Sequence, residues 1–245
     1  MRILLIGHGK MGKAIEQAAL KKGHTLSGIV SAGSAAQLSG FGPHNTDVAI
    51  EFTRPEAAVQ NIRYCLSSGL PVVSGTTGWN QHLPEVEDLC RARNGALFVA
   101  SNFSIGVNLF FRLNKFLAGL VKDFQQYNVS LDETHHTQKL DRPSGTAITL
   151  AEQILRAHTA KVRWVNDPSA DLRDLVISSY REEHVVGTHV VHYDSEIDSI
   201  EIKHTAHSRE GFVEGALQAA EWLVGRHGVF GMDDLLGFGS SAPAE

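Results

Sequence analysis

The stretch RILLIGHGKMGKAIEQAALKKG, from Arg2 to Gly23, constrains the fold of this chain more than any other. Four apolar residues in a row, Ile3 to Ile6, suit a strand buried on both faces. Gly7, Gly9 and Gly12 follow at once, and Ile15, Ala18 and Ala19 then recur at helical spacing before a stop at Gly23. Strand, glycine turn and helix in that order make a βα unit whose helix N-terminus offers unpaired N–H groups to a pyrophosphate. The turn therefore nominates Gly7, Gly9, Lys10, Met11 and Gly12 as dinucleotide contacts.

The next hundred residues repeat the alternation. DVAIEFT, a helical PEAAVQNIRYCLSSG, LPVVSGTTGW, a helical LPEVEDLCRARNG and ALFVASNFS read as β-α-β-α-β with short connections. The fold class is α/β, a Rossmann-type parallel sheet with helices on both faces. Ligands bind such sheets beyond the carboxyl ends of the strands, where EFTRP, SGTTG and SNFS stand here. Thr53, Gly75, Thr76, Thr77, Gly78 and Asn102 are thus candidates to donate hydrogen bonds to a nicotinamide and its ribose. The second strand, TLSGIVS, ends at Ser31, where a unit preferring NAD carries an acidic side chain. Ser31 and Ala32 stand there instead, and Lys10 offers a positive charge, so NADPH is accepted as well as NADH.

Composition excludes several alternatives. Twenty-two Lys and Arg against 27 Asp and Glu give a net charge of −5, and no basic run is present to clamp nucleic acid. No apolar run reaches the roughly 20 residues of a membrane span, so no membrane role is expected. Cys65 and Cys90 lie in helical stretches and form neither a disulfide framework nor a metal pair; reduced thiols in the cytoplasm are expected. Thirteen histidines raise the question of a metal. His189 and His192 are three apart on a strand, as are His204 and His207, so each pair points to opposite faces. No metal site is expected, and most of these histidines read as solvated or hydrogen-bonded strand residues.

From Gly106 the pattern changes. GVNLFFRLNKFLAGLVKDF reads as a long helix with Val107, Phe110, Phe111, Leu113, Leu117, Leu120 and Val121 on a broad apolar face. YNVSLDETHH then alternates, with Val129, Leu131 and Glu133 on one face and His135 and His136 on opposite sides of the strand end. Pro143 fixes the loop that follows, Ser144 is a candidate N-cap, and Ala147, Ile148, Ala151, Ile154 and Leu155 form the buried stripe of the next helix. The first N–H groups at Ser144, Gly145 and Thr146 make an anion site, and Lys139 adds a full positive charge. A small carboxylate substrate fits such a site, and an adjacent imidazole, with an unperturbed pKa of about 6.5, suits a general acid. Strands separated by YDSEIDS complete an open mixed, largely antiparallel sheet, giving a C-terminal α+β domain. Its apolar face exceeds what one helix covers and favours self-association.

GHGKMG, EFTRPEA, GTTGW, ASNFSIGVN, E-x-HH-x-x-K-x-D-x-PSGTA, VGTH and HTAHSR together make the chain resemble the dihydrodipicolinate (4-hydroxy-tetrahydrodipicolinate) reductase family along nearly its whole length. The resemblance implies hydride transfer from NADPH or NADH to a cyclic dicarboxylated imine, with loss of water, on the diaminopimelate route to lysine. It implies His135 as proton donor with Lys139 as its partner, and His136, Gly145 and Thr146 as substrate-carboxylate contacts. It places Gly75, Thr77, Ala100 and Phe103 at the nicotinamide. It also implies a homotetramer and a discontinuous dinucleotide domain, residues 1–104 and 210–245, around a substrate-binding and oligomerisation domain, 105–209. Phe212, Ala216, Ala219 and Leu223 mark the helix that returns to the first domain, and Arg209 before it either supports the substrate loop or stands at the surface. The chain departs from the family at Ser31, at Glu51 where aspartate is commoner, and in a shortened segment after the second strand. An aspartate-semialdehyde dehydrogenase, the rival oxidoreductase, needs a nucleophilic cysteine at a strand-end turn, and neither cysteine is so placed. A non-catalytic NAD(P)H-sensing module is the rival of another class.

Overall fold

The structure, a computed structural model, describes residues 1–31, 37–158, 160–166 and 168–238; Ala32 and residues 239–245 of the small-residue tail lie outside them. The chain divides into two compact units, Met1–Ile105 with Glu210–Glu245, and Gly106–Arg209.

In the first unit the strands are β1 (Arg2–Ile6), β2 (Thr25–Val30), β3 (Val48–Glu51), β4 (Val72–Ser74) and β5 (Ala96–Val99), with a sixth, β11 in chain order (Gly228–Phe230). They form one sheet in the order β11-β5-β4-β3-β1-β2, every pairing parallel. Side chains alternate across β1: Ile3 and Leu5 enter one apolar cluster, Leu4 and Ile6 the other, and all four are buried. Burying both faces of a strand removes each such side chain from water, a gain of about 1.5–3 kcal/mol apiece. Helix α1 (Lys10–Lys21) and helix α6 (Glu210–Leu223) contribute to the first cluster. Helices α2 (Pro55–Ser67) and α3 (Leu83–Ala92) close the second. Cys65 and Cys90 are buried free thiols within α2 and α3. A short α7 (Met232–Leu235) follows β11.

The second unit opens with α4 (Ile105–Val121), followed by β6 (Asn128–His135), α5 (Gly145–Ala157), β7 (Arg163–Val165), β8 (Asp174–Arg181), β9 (Gly187–Asp194) and β10 (Ser199–Ala206). Its sheet runs β10-β9-β6-β8-β7. The hairpin at YDSEIDS is present, with Asp194 opposite Ser199, and β6 pairs antiparallel to β9. On its other side β6 pairs parallel to β8, and β8 parallel to β7. The sheet is thus evenly mixed, because α5 carries the chain over between β6 and β8 and a helical crossover returns a strand parallel.

Two expectations about apolar surface need correction. On α4 the buried residues are Val107, Phe110, Asn114, Ala118 and Val121, whereas Leu113 and Leu120 are exposed together with Leu109 and Phe116. The inward stripe is narrower than the apolar composition implied. Conversely, the outward face of the sheet is mainly polar: Ser130 aligns with His192 and Glu201, and Asp132 with Val190 and Lys203. An apolar excess on that face is therefore not the feature that would drive association.

Candidate active site

Strand β6 buries Val129, Leu131, Glu133 and His135 in strict alternation. Cross-strand register extends each of these positions into a row. Leu131 stands beside Val191 and Ile177, an apolar row; Glu133 stands beside His189 and Ser179, and His135 beside Arg181. Thr134 opposes Thr188, so His135 lies across from Gly187. The carboxyl end of β6 therefore exchanges a hydrophobic core for a buried polar cluster, and buried polar groups must find partners.

Glu133 is the hub of that cluster and is fully buried. Its two oxygens each accept the Ser144 N–H at 3.1 Å, and Oε1 accepts the Ser179 hydroxyl at 2.8 Å. His135 Nδ1 lies 3.5 Å and His189 Nε2 3.7 Å from Oε2, and Arg181 Nη1 lies 3.7 Å from Oε1. Burial pushes the carboxyl upward in pKa, but the hydrogen bonds from Ser144 and Ser179 and the neighbouring His135 outweigh it and hold Glu133 below the usual carboxylate range. For His135, burial lowers the pKa, Glu133 opposes it, and Lys139 and Arg181 reinforce it, with a net lowering. His189 is buried more deeply and is pushed down to about 3, chiefly by burial and then by His135.

The loop after β6 is held by the same cluster. Arg181 donates to the backbone carbonyls of Lys139 at 3.2 Å, Asp141 at 2.6 Å and Tyr180 at 2.7 Å. Lys139 Nζ is paired with the Asp141 carboxylate at 2.8 and 2.9 Å. Ser144 caps α5: its Oγ accepts the Ala147 N–H at 3.2 Å and lies 3.1 Å from His189 Nε2. One anion-site expectation changes here, because the Ser144 N–H is engaged by Glu133. Gly145 and Thr146, the first residues of α5, have N–H groups for which no intrahelical carbonyl exists. The space over Gly145 is open, with no atom within 4 Å of where a Cβ would stand. His136 faces away from Glu133 and lines a cavity of about 360 Å³ with Thr137, Gln138, Glu183, His184 and Arg209.

Glu133, His135 and His189 also bring ligand-type atoms within 4.8 Å of one another. A cation there would compete with the Ser144 and Ser179 donors for the carboxylate and meet the repulsion of Arg181. The arrangement is better suited to protons than to a metal. Of the two readings of His189, solvated or hydrogen-bonded, the second holds: it is only 4 % exposed and lies 3.1 Å from Ser144 Oγ within this cluster. His192, on the opposite face, pairs with Glu201 at 2.9 Å as expected of a surface strand histidine.

In the first unit the glycine turn is built for close approach. Gly7 has φ +101, and a Cβ on it would stand 2.0 Å from the Phe52 carbonyl oxygen; one on Gly12 would stand 2.1 Å from the Gly7 carbonyl oxygen. Gly7 and Gly9 line a cavity of about 340 Å³ together with Ser31, Thr53, Arg54 and Asn61. Lys10, Met11 and Gly12 lie in the first turn of α1 and do not line it. In place of Lys10, the arginine or lysine that lines this cavity among the described residues is Arg54, at the N-cap of α2.

The strand-end threonines are not free donors. Buried Glu51 accepts the hydroxyls of Thr53, Ser74 at 2.7 Å and Thr76 at 3.0 Å, and Thr76 Oγ1 accepts the Thr53 N–H at 2.8 Å. Thr53 and Thr76 thus shape the turns rather than present hydroxyl hydrogens to a ligand. Thr77 and Gly78 are exposed, and Gly75 packs against the Phe52 ring. Asn102 accepts the Ser104 N–H at 2.9 Å, Ala100 packs on the core, and Phe103 is a core residue against Phe52 and Phe98.

The residues present fit a nicotinamide dinucleotide: a glycine cradle a Cβ would fill, a cavity at the carboxyl ends of parallel strands, and no acidic residue at Ser31. A family model described as "Dihydrodipicolinate reductase, N-terminus" matches residues 1–103, and its C-terminal counterpart matches residues 106–236. The chain is 45 % identical over 236 residues to the 4-hydroxy-tetrahydrodipicolinate reductase of Christiangramia forsetii, covering 96 % of this chain and 98 % of that protein. It is 34 % identical over 261 residues to the same-named protein of Desulfovibrio desulfuricans, covering 95 % and 98 %. Among solved structures, a dipicolinate-bound dihydrodipicolinate reductase from Paenisporosarcina sp. TG-14 aligns over 96 % of this chain and 99 % of that one with a TM-score of 0.74; at 21 % identity this likeness concerns the fold alone. The chain belongs to the dihydrodipicolinate reductase family of NAD(P)H-dependent oxidoreductases.

Proposed function

We propose that this chain reduces the cyclic imine derived from 4-hydroxy-tetrahydrodipicolinate to tetrahydrodipicolinate, on the diaminopimelate route to lysine, with His135 as general acid. The observation that carries the residue assignment is the crowding of His135, Lys139 and the amino end of α5 into one short segment, braced by Glu133 and Arg181. NADPH or NADH, held by the first unit at Gly7, Gly9 and the strand-end turns, supplies the hydride. The second unit holds the substrate. The Gly145 and Thr146 N–H groups bind one carboxylate, with His136 beside it, and Lys139 exchanges Asp141 for the substrate as its anionic partner. A doubly anionic substrate also favours the charged form of His135, opposing the lowering caused by burial. The imidazolium then gives its proton to the electron density that hydride addition leaves, while the Lys139 ammonium stabilises the developing negative charge.

Two features bear on the setting. Both cysteines are free and buried, and among the described residues no helix is long and apolar enough to cross a membrane, in keeping with a cytoplasmic enzyme. Exposed Leu109, Leu113, Phe116 and Leu120 along α4 favour self-association, for which a homotetramer is the proposed state.

Oxidation of NADPH and NADH with freshly generated 4-hydroxy-tetrahydrodipicolinate tests reaction and cofactor together. His135→Gln lowers kcat by about 10²- to 10⁴-fold with the unfolding midpoint retained. Unchanged turnover in that variant would remove the assignment. Tight cofactor binding without substrate-dependent oxidation by the unmodified protein would instead favour a nucleotide sensor.

A further inference from the structure

We infer that Glu133 is a positioning residue for the reaction: its buried carboxylate fixes the His135 ring with Nδ1 turned inward and, through the Ser144 N–H, ties that ring to the start of the substrate-binding helix. The inference rests on the reading of His135 as the acid and goes beyond it by naming what orients the ring.

Four observations support it. Of the two ring nitrogens of His135, Nδ1 is fully buried, has no hydrogen bond in this geometry, and lies 3.5 Å from Glu133 Oε2. Nε2 faces Gly187, whose missing side chain leaves room for the ring. An imidazole gaining a proton needs an acceptor for its inner N–H, and the only carboxylate in the buried row is Glu133, so protonation draws Nδ1–H and Oε2 together. Both carboxylate oxygens are at the same time held by Ser144 and Ser179, from the loop and from β8, so the acceptor itself cannot wander. A carboxylate that sets the tautomer of a catalytic imidazole and stabilises its charged form is a recurrent device of acid–base sites.

Other charges facing His135 are accounted for. Lys139 and Arg181 oppose its protonation, and Asp141 favours it. Arg181 has its guanidinium on the loop carbonyls of Lys139 and Asp141 and on Tyr180 of its own strand, with Nη1 3.7 Å from Glu133 Oε1, and Lys139 has its ammonium on Asp141. His189, 5.0 Å away ring to ring, is held neutral by burial. Glu133 is thus the group left to stabilise the imidazolium directly.

The test is Glu133→Gln, which keeps an oxygen for the Ser144 N–H and removes the charge. Imidazole nitrogen shifts in protein carrying ¹⁵N-histidine, with the His135 signals assigned by their loss in His135→Gln, report tautomer and titration without any turnover. In the unmodified protein neutral His135 carries its proton on Nδ1. In Glu133→Gln its pKa falls by about one unit or more, and the Nδ1–H tautomer loses its dominance. A general acid works only while protonated, so the fall of kcat/KM with rising pH moves to lower pH by the same amount. KM for the dicarboxylate changes less than threefold. Glu133→Asp, which keeps the charge, recovers more than half of the titration shift, an outcome that a purely packing role does not give. Should Glu133→Gln not fold, Ser179→Ala takes its place: a carboxylate with one donor fewer attracts the imidazolium more strongly, and the His135 pKa rises. An unshifted tautomer and titration in whichever folded variant is obtained overturns the inference. If His135→Gln keeps full turnover, the acid assignment fails, yet the nitrogen shifts still decide whether Glu133 governs the ring, so the two failures are separable.

Discussion

Gly187→Ala adds one methyl group where β9 passes His135, and its consequence can be worked from distances. An ideal Cβ at position 187 stands 3.0 Å from His135 Nε2 and 3.2 Å from Cδ2, where ordinary contact begins at 3.4 Å. Either the ring or the strand must give by about 0.4 Å, the difference between those distances. If 1 Å of misplacement at a reacting group costs up to about a hundredfold, this shift costs roughly fivefold to tenfold in kcat. Stability should hardly move. Alanine in a strand gains about 0.5–1 kcal/mol over glycine, which offsets most of a tight contact costing about 1 kcal/mol. Gly187 also needs no unusual backbone angle, since its φ lies outside the left-handed range. The assay is steady-state NADPH oxidation alongside guanidinium unfolding. Loss of kcat with an unchanged unfolding midpoint is expected; wild-type kcat in a folded variant would refute the placement of the acid against β9.

Two further outcomes follow from charges described above. His189 is held neutral in the folded protein, with a pKa of about 3, whereas the unfolded chain binds a proton near pH 6.5. Between those values the unfolded state binds more protons, so stability is complete above about pH 6.5 and declines on acidification, by at most about 1.4 kcal/mol per pH unit for this group. Urea unfolding from pH 7.5 to 5 should show a slope of that sign, and His189→Gln should reduce it, the remainder coming from His135, His158 and His204, which burial also lowers. At the dinucleotide cavity, Arg54→Ala should raise KM for NADPH about threefold to fivefold and leave KM for NADH nearly unchanged, as removal of one exposed cation from a phosphate predicts. Equal effects on both cofactors would exclude Arg54 from the 2′-phosphate.

Local signals made the fold and half of the second unit's site legible. Ile3 to Ile6 followed by spaced glycines has few other solutions, and Ser144 before an apolar-periodic run is an N-cap in the sequence and in the structure. What escaped depends on register between distant strands. His189 meets Glu133 only because β9 returns antiparallel to β6 with Thr134 opposite Thr188, a pairing across more than fifty residues that no local pattern encodes. Thr53 and Thr76 look like ligand donors as turn residues; a carboxylate two positions before Thr53 and buried among the strands engages them first. Lys10 stands out in the sequence because it sits inside the glycine motif, yet its position on the first turn of α1 takes it off the cavity wall, while Arg54 lies outside any motif and lines it. On α4 the apolar residues outnumber those that one sheet face can bury, so composition alone overestimated the inward stripe.

Helix α6 completes the first apolar cluster with Val213, Ala216, Leu217, Ala220 and Leu223, although it is encoded after the whole second unit. On a ribosome adding about 5–20 residues per second, β1 to β5 emerge several seconds or more before the helix that seals them. Throughout that interval the side of the nascent sheet carrying Ile3, Leu5, Ile50 and Phe98 has α1 but not α6 to cover it. Chaperone dependence of newly made chain should accordingly track the time taken to synthesise residues 106–209, and fusing an early stop before Glu210 should yield an insoluble fragment rather than a smaller nucleotide-binding protein.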